Sequence, residues 1–425
     1  MNILVNKKQK MVLLGMVDIA GQMESYKEGY ESQGFKVFTM VRFRNQKYEM
    51  EYDFVYNSLY PKWLLKSRKA ILLRKLYTLM VAQPIYWLVI FSLITRCDIF
   101  HFMWLTEREN RIFLYILKQI KKKIIVTFVG SEVRWYPLWV KEHDERSLSH
   151  QDIKILMNHT KQSGVTLERQ LKTVRVVEKY ADIIMSVPEQ SQLLLRPYFN
   201  FYIPLDLSKM TFQILNKSIT SVAVGVTEPI FNNSDSVVHA LEVFQKQSGR
   251  TFEIKVLKNM KHDRVLKELA ESDIFIYTPY GCGTGRFGLE AVASGTLCMC
   301  GYDEAWYNIP PGLPIVPITE SDFISKLEYY LDHREERERL IMSGKDWIAK
   351  YADPKWIVND ILKKIENPDE NYDYIPAYFR DKAKFDSEGN APDAVDICNK
   401  WTRYVKDCNW YKKYVPPGKR DGLIF

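Results

Sequence analysis

Gly281-Cys-Gly-Thr-Gly-Arg-Phe-Gly-Leu-Glu-Ala-Val-Ala-Ser-Gly295 holds five glycines and a single carboxylate, Glu290. Ahead of it, DIFIYTPY (Asp273–Tyr280) is a short apolar run that predicts a buried strand. Behind its glycines, GLEAVAS predicts a helix, and TLCMC (Thr296–Cys300) predicts the next strand. Strand, glycine loop, helix and strand form one repeat of a parallel α/β sheet. Gly281, Gly283 and Gly285 let the backbone turn sharply and meet a ligand without side-chain interference. The start of the helix offers unpaired N–H groups that favour anions. Glu290, about one turn inside, can accept hydrogen bonds from ribose or sugar hydroxyls. The stretch is not the dinucleotide fingerprint. It comes late in the chain, and no acidic residue is suitably placed after a Rossmann start. No Lys-Ser/Thr closes it as a Walker loop.

The same alternation extends in both directions. SVAVGV (Ser221–Val226), FEIKVLKNM and DIFIYTPY are strands separated by the helical SDSVVHALEVFQK, with Ser234 or Asp235 as cap, and HDRVLKELAESD. In the first half, Met11–Val17, Lys36–Val41, Asp98–Trp104, Lys123–Gly130 and Asp182–Val187 are strands among helices. The fold class is α/β, with two Rossmann-like parallel-sheet domains facing across a cleft. The chain has 425 residues, a length that suits two such units. The division is residues 1–206, residues 207–366 and an extension, 367–425, whose Tyr and Trp residues anchor it back over the domains. Asp144–Gln170 reads as a charged surface loop or lid with a helix.

Parallel sheets bind ligands beyond the carboxyl ends of their strands. That rule points to Gly15–Gly21, His101–Trp104 and Val129–Arg134. Gly21 is either a close-approach glycine or a simple turn. His101 is either a catalytic or acceptor-site histidine or a hydrogen-bonded structural one. Arg134 and Glu132 follow a strand as site groups, with a surface ion pair as the alternative for Arg134. Lys258 and Arg286 are candidate cations for a diphosphate, or surface residues.

The formal charge is +8 and the pI about 8.9. Such a balance suits a nucleotide phosphate, an anionic membrane or nucleic acid. No basic stripe interleaved with aromatics replaces the glycine cleft, which argues against nucleic acid. Six scattered cysteines make no small-domain disulfide framework and point to a reducing compartment. Cys298 and Cys300 share one strand face and read as buried thiols. The apolar part of MNILVNKKQKMVLLGMV is too short to span a membrane and lacks a cleavage site. Between strands, Lys62, Lys66, Arg68, Lys69, Arg74 and Lys75 make a basic amphipathic segment, followed by nearly apolar Tyr77–Ile94. Gln83 and Pro84 interrupt the apolar part. It reads as a buried connecting helix, or two short ones, with the basic part lying on an anionic bilayer; the alternative is an unusually apolar helix packed on the sheet.

The glycine loop followed by E-A-V-A-S-G-T, the VGSEVR turn (Val129–Arg134), ADIIMSVPEQ (Ala181–Gln190) and IPLDL (Ile203–Leu207) resemble the GT-B glycosyltransferases. The resemblance is to the large retaining family 4 (glycosyl transferases group 1) and covers most of residues 11–365. It implies that Glu290 contacts the nucleotide ribose and that Gly283, Thr284 and Gly285 meet the donor sugar. It implies transfer from a nucleotide-diphosphate sugar to a glycan or lipid-linked acceptor in cell-surface polysaccharide or glycolipid synthesis. The expected enzyme is retaining, needs no metal or cofactor beyond its donor, and works in the cytoplasm, peripheral on the inner face of the membrane. The expected donor set is Gly21, Gly283, Thr284, Gly285, Arg286 and Glu290. His101, Arg134 and Lys258 are the expected chemical groups. In this fold the last helix often crosses back to the first domain. Three departures stand out. Cys282 replaces a frequent glutamate, Val129 replaces a frequent histidine, and GVTEPIFNNSD lacks the basic pair that binds donor phosphates, leaving Lys258 or Arg286 to supply the charge. These departures also suit a catalytically inactive member acting as a membrane-associated interaction subunit. A nucleotide-sugar 2-epimerase shares the two-domain architecture.

Overall fold

The computed structural model describes residues 9–45, 48, 50–66, 70–105, 111–150, 152–162, 166–227, 233–281, 283–307, 309–368, 370–376 and 405–410. Arg68, Lys69 and Cys282, the side chain of Lys66 and most of the extension lie outside the described residues.

Seven parallel strands form the first sheet: β1 (Met11–Met16), β2 (Lys36–Val41), β3 (Phe54–Val55), β4 (Ile99–Met103), β5 (Lys123–Thr127), β6 (Ile183–Ser186) and β7 (Phe199–Asn200). Their order is β3-β2-β1-β4-β5-β6-β7. Both faces are buried, as their unbroken apolar runs require. Val12 and Leu14 point into one layer and Leu13 into the other, all fully buried. One face carries α1 (Gln22–Ser32). The other carries α4 (Gln83–Arg96), α5 (Arg111–Gln119) and α8 (Leu167–Tyr180). Ahead of α4 come α2 (Lys62–Lys66) and α3 (Ile71–Tyr77), and a π-helical turn, Thr78–Ala82, joins α3 to α4. α6 (Tyr136–Glu145) and α7 (Ile153–Gln162) leave the sheet beyond β5.

The second sheet has five parallel strands: β8 (Ser221–Val226), β9 (Glu253–Lys258), β10 (Ile274–Ile276), β11 (Leu297–Cys300) and β12 (Val316–Pro317). Their order is β12-β11-β10-β8-β9. α9 (Ser234–Ser248) and α12 (Phe323–Asp332) cover Val222, Val224 and Ile274 on one face. On the other face Ala223, Phe275, Cys298 and Cys300 pack with α11 (Gly285–Ala293), which follows α10 (His262–Ala270), and with the end of α13 (Arg334–Tyr351). Cys298 and Cys300 are both buried on one face of β11.

The last helix, α14 (Pro354–Glu366), returns to the first sheet. Ile357, Val358, Ile361 and Ile365 enter the core beneath α1, each contributing roughly 1.5–3 kcal/mol by burial. Gly29 of α1 permits the contact, because a Cβ there would collide with the Pro354 carbonyl and Val358. Beyond α14, Tyr374 pairs antiparallel with Tyr198 (N–O 3.0 and 3.1 Å), and buried Trp410 donates to the Glu178 carbonyl at 3.1 Å.

Candidate active site

The carboxyl ends of the two sheets face one another across a cavity of about 450 Å³. The first unit contributes Gln22, Val129, Arg134, Trp139 and Glu189; the second contributes Tyr277, Gly283, Thr284, Gly285 and Arg286. A second cavity of about 250 Å³ lies over the ends of β8 and β9, lined by Tyr48, Asn259, His262, Phe287 and Glu290. Tyr277 and Arg286 border both.

The glycine loop has the backbone that its composition demands. Gly281, Gly283 and Gly285 have φ of 82°, 109° and 55°, values that disfavour any side chain. Two of its amides are occupied inside the protein: Gly283 donates to the Gly301 carbonyl (2.8 Å) and Gly281 to that of Ser149 (3.0 Å). Thr284 and Gly285, which open the first turn of α11, line the cavity, and the first turn of a helix has amides without intrahelical partners.

Glu290 is buried, and its Oε1 accepts from Arg286 Nε at 2.6 Å and from His262 Nε2 at 2.8 Å. The first contact follows from the i,i+4 spacing on α11. It fixes a guanidinium whose Nη1 is buried and has no hydrogen-bond partner among the described residues. The guanidinium carbon lies 5.5 Å from the centroid of the Tyr48 ring. Across the cavity, Glu189 holds two groups at once, accepting from Arg134 Nη2 at 3.0 Å and from Trp139 Nε1 at 2.7 Å. Burial works against the Arg134 charge, but the Glu189 carboxylate outweighs it and holds the guanidinium pKa above its ordinary value. Each half of the cavity therefore carries one carboxylate-anchored arginine.

Asp144–Gln170, expected as a surface loop or lid with a helix, contains α7. The arm from α6 reaches the second unit, where Arg146 pairs with Asp303 and lies 4.5 Å from the Trp306 ring centroid. Ser149 bridges to Tyr280, and its Oγ accepts from the Glu320 amide at 2.7 Å. His143 is fully buried between Trp139 and Trp306, and burial lowers its pKa to about 3, so it stays neutral.

Three expected site residues are placed elsewhere. His101 points away from the cavity into the layer beneath α1. It is fully buried, with Nδ1 3.1 Å from Tyr30 Oη and Nε2 2.8 Å from Thr127 Oγ1. Burial lowers its pKa to about 3. It is the hydrogen-bonded structural histidine. Lys258 is exposed on the edge strand β9; the alternation of the strand turns Leu257 inward instead. Gly21 starts α1 at φ 69°, and a Cβ there would strike the Tyr48 ring; its neighbours Ala20 and Gln22 line the cavity. Val129 does line it. Among the described residues, no three His, Cys, Asp or Glu side chains are grouped to hold a metal ion.

Glu132, beside Val129, makes a testable contribution to stability. Its Oε1 accepts from the Val129 amide at 2.8 Å, while Oε2 is buried without a partner among the described residues. Burial pushes its pKa from 4.5 up to about 7, against the backbone hydrogen bonds and the Arg134 charge that pull it down. The folded chain therefore binds this proton more tightly than the unfolded chain does. The stabilisation is full below the unfolded value of 4.5 and is lost as pH rises through 7. Glu132→Gln is expected to raise stability at pH 8 by roughly 1–3 kcal/mol and to change it little at pH 4. Thermal unfolding at the two pH values checks this; equal shifts at both would refute the assignment.

No protein-family model matches this sequence, and no curated protein sequence matches it. Solved structures do. Sucrose-phosphate synthase from Thermosynechococcus elongatus superposes with a TM-score of 0.50 at 11% identity, over 84% of this chain and 99% of that one. HepE of Anabaena in complex with UDP-glucose gives 0.47 at 11% identity, over 84% and 100%. UDP-GlcNAc 2-epimerase from Neisseria meningitidis bound to UDP-GlcNAc gives 0.44 at 11%, over 83% and 100%. With two parallel-sheet units facing across a cleft and a last helix returned to the first unit, this chain has the GT-B fold.

Proposed function

We propose that this chain is a glycosyltransferase that moves a sugar from a nucleotide-diphosphate donor to the hydroxyl of a glycan or lipid-linked acceptor. The observation that carries this reading is Arg286. It is anchored by Glu290 at the start of α11, its Nη1 has no hydrogen-bond partner among the described residues, and its side chain borders both cavities. The smaller cavity takes the nucleoside, whose ribose hydroxyls donate to Glu290. The diphosphate then lies at the first turn of α11 and at Arg286, and the sugar projects into the larger cavity toward Arg134 and Trp139. Breaking the anomeric C–O bond leaves negative charge on the diphosphate. Helix amides and a fixed guanidinium stabilise that charge more than they stabilise the ground state. The arm anchored by Arg146 and Asp303 closes the cavity and limits hydrolysis by water. The acceptor enters from the first unit. Retention of anomeric configuration and a place in cell-surface polysaccharide or glycolipid synthesis follow from the family resemblance.

The test is a thermal-shift panel of UDP-, GDP- and other nucleotide sugars, with slow donor hydrolysis followed by mass spectrometry. One nucleotide is expected to raise Tm, with about 2.7 kcal/mol of stabilisation at a hundredfold excess over Kd. Glu290→Ala is expected to abolish the shift. A panel without any shift would sink the reading. Val129 in the cavity wall, where the resembled family often has histidine, favours one second reading, a binding subunit without turnover. A thermal shift with no hydrolysis and no transfer would identify it.

A further inference from the structure

α3, the π-helical turn and α4 form one continuous helical rod, Ile71–Arg96, long and apolar enough to cross a membrane. Its inner face does not permit crossing. Ala82, Tyr86, Ile90 and Leu93 are at most 3% exposed and belong to the core of the first sheet. The outer face is bare and apolar. Leu72 is 81% exposed, Leu88 70% and Leu79 67%. α5 lies alongside, with Trp87 and Phe113 ring centroids 6.0 Å apart, and adds exposed Ile112 and Ile116. A contiguous apolar face of this kind marks a docking surface.

Charge identifies the occupant. Residues 60–97 and 111–123 carry twelve lysines and arginines and no aspartate or glutamate. A second copy of the chain would set these like charges against one another. An anionic bilayer accommodates both features, with the side chains of the rod in the acyl boundary and the cations among the headgroups. We propose that the α3–α4 rod and α5 form a two-helix face that lies in the plane of an anionic membrane interface. The sequence pattern pointed to the basic segment as the bilayer contact and to Tyr77–Ile94 as a buried connecting helix; the structure buries only the inner face of that helix, and the exposed outer face and the share of α5 are its additions.

The connection also orients the molecule. α4 ends at Arg96 and β4 begins at Ile99, so the helix runs back along its strand. Its 14 residues, at about 1.5 Å each, reach the far end of the sheet. α3 therefore lies at the same end of the sheet as the cavity. If the transfer reading holds, an acceptor carried by a lipid reaches the cavity from the membrane plane; the bilayer contact itself does not rest on that reading.

Flotation of the full-length protein tests the contact, using vesicles of phosphatidylcholine alone or with one-third phosphatidylglycerol. The protein is expected to float with the anionic vesicles and far less with the neutral ones. Arg74→Glu with Lys75→Glu should weaken anionic binding on the order of tenfold. Leu79→Asp with Leu88→Asp should abolish it while leaving thermal unfolding and any donor-induced shift intact. Absence of flotation would overturn the proposal. So would flotation unchanged by the aspartates, or a dimer in light scattering that the aspartates dissociate without affecting flotation.

Discussion

Arg286→Ala is expected to lower donor turnover by about two to three orders of magnitude, the usual cost of removing a preorganised group from developing charge. The loss should fall mainly on kcat, because a leaving diphosphate gains charge only as the anomeric bond breaks. Arg286→Lys should recover little. The guanidinium uses Nε to hold Glu290 while Nη1 stays available, and an ammonium on a flexible stem cannot hold both positions. Glu290→Gln should behave differently. It keeps an acceptor near His262 and the ribose but weakens the anchor of Arg286, so both KM and kcat should change. Steady-state kinetics on whichever nucleotide sugar stabilises the protein would separate these patterns. Wild-type turnover in Arg286→Ala would remove this residue from the chemistry. Turnover lost equally in Arg134→Ala would instead place the decisive cation on the first unit.

The same residue shows what a one-dimensional reading can reach. Arg286 and Glu290 stand four apart on a helix opened by glycines, and that spacing already joins them. Strands such as β2 and β8 were legible as short β-branched or apolar runs bounded by turn residues. His101 was not legible. Alternation assigns it to a strand face, but whether that face meets the cavity or the α1 layer depends on Tyr30, seventy-one residues away. Lys258 failed through the same period-two ambiguity, since one residue of register separates a buried site from solvent. Glu189 stands inside a segment that resembled the family, yet its role required Arg134 and Trp139 to converge on it from beyond β5. The two-residue strands β3, β7 and β12 are too short to show a period at all. Long-range partners, not local propensity, decide each of these.

Glu178→Ala is expected to be the most destabilising single change away from the cavity, costing about 3–5 kcal/mol. Glu178 and Arg175 lie one turn apart on α8, and both side chains are fully buried. Glu178 Oε2 accepts from Arg175 Nη1 at 2.8 Å, and Oε1 accepts the amides of Leu195 (2.5 Å) and Arg196 (3.0 Å). Its truncation removes the carboxylate partner of a buried guanidinium, whose Nη1 keeps only its bond to the Leu193 carbonyl (2.9 Å) among those described for it, and leaves two buried N–H groups without their acceptor. Arg175→Ala should cost less, because Glu178 keeps those two amides. Arg175→Leu with Glu178→Leu should in turn cost less than Glu178→Ala alone, because no uncompensated charge remains inside. Urea unfolding of the three variants would show this order; a cost under about 1 kcal/mol for Glu178→Ala would refute the account. The effect should also reach the cavity. The segment that Glu178 pins runs on through β7 to Phe201, Tyr202 and Ile203, which form part of the cavity wall. Loosening it should weaken ligand binding even at temperatures where the protein remains folded.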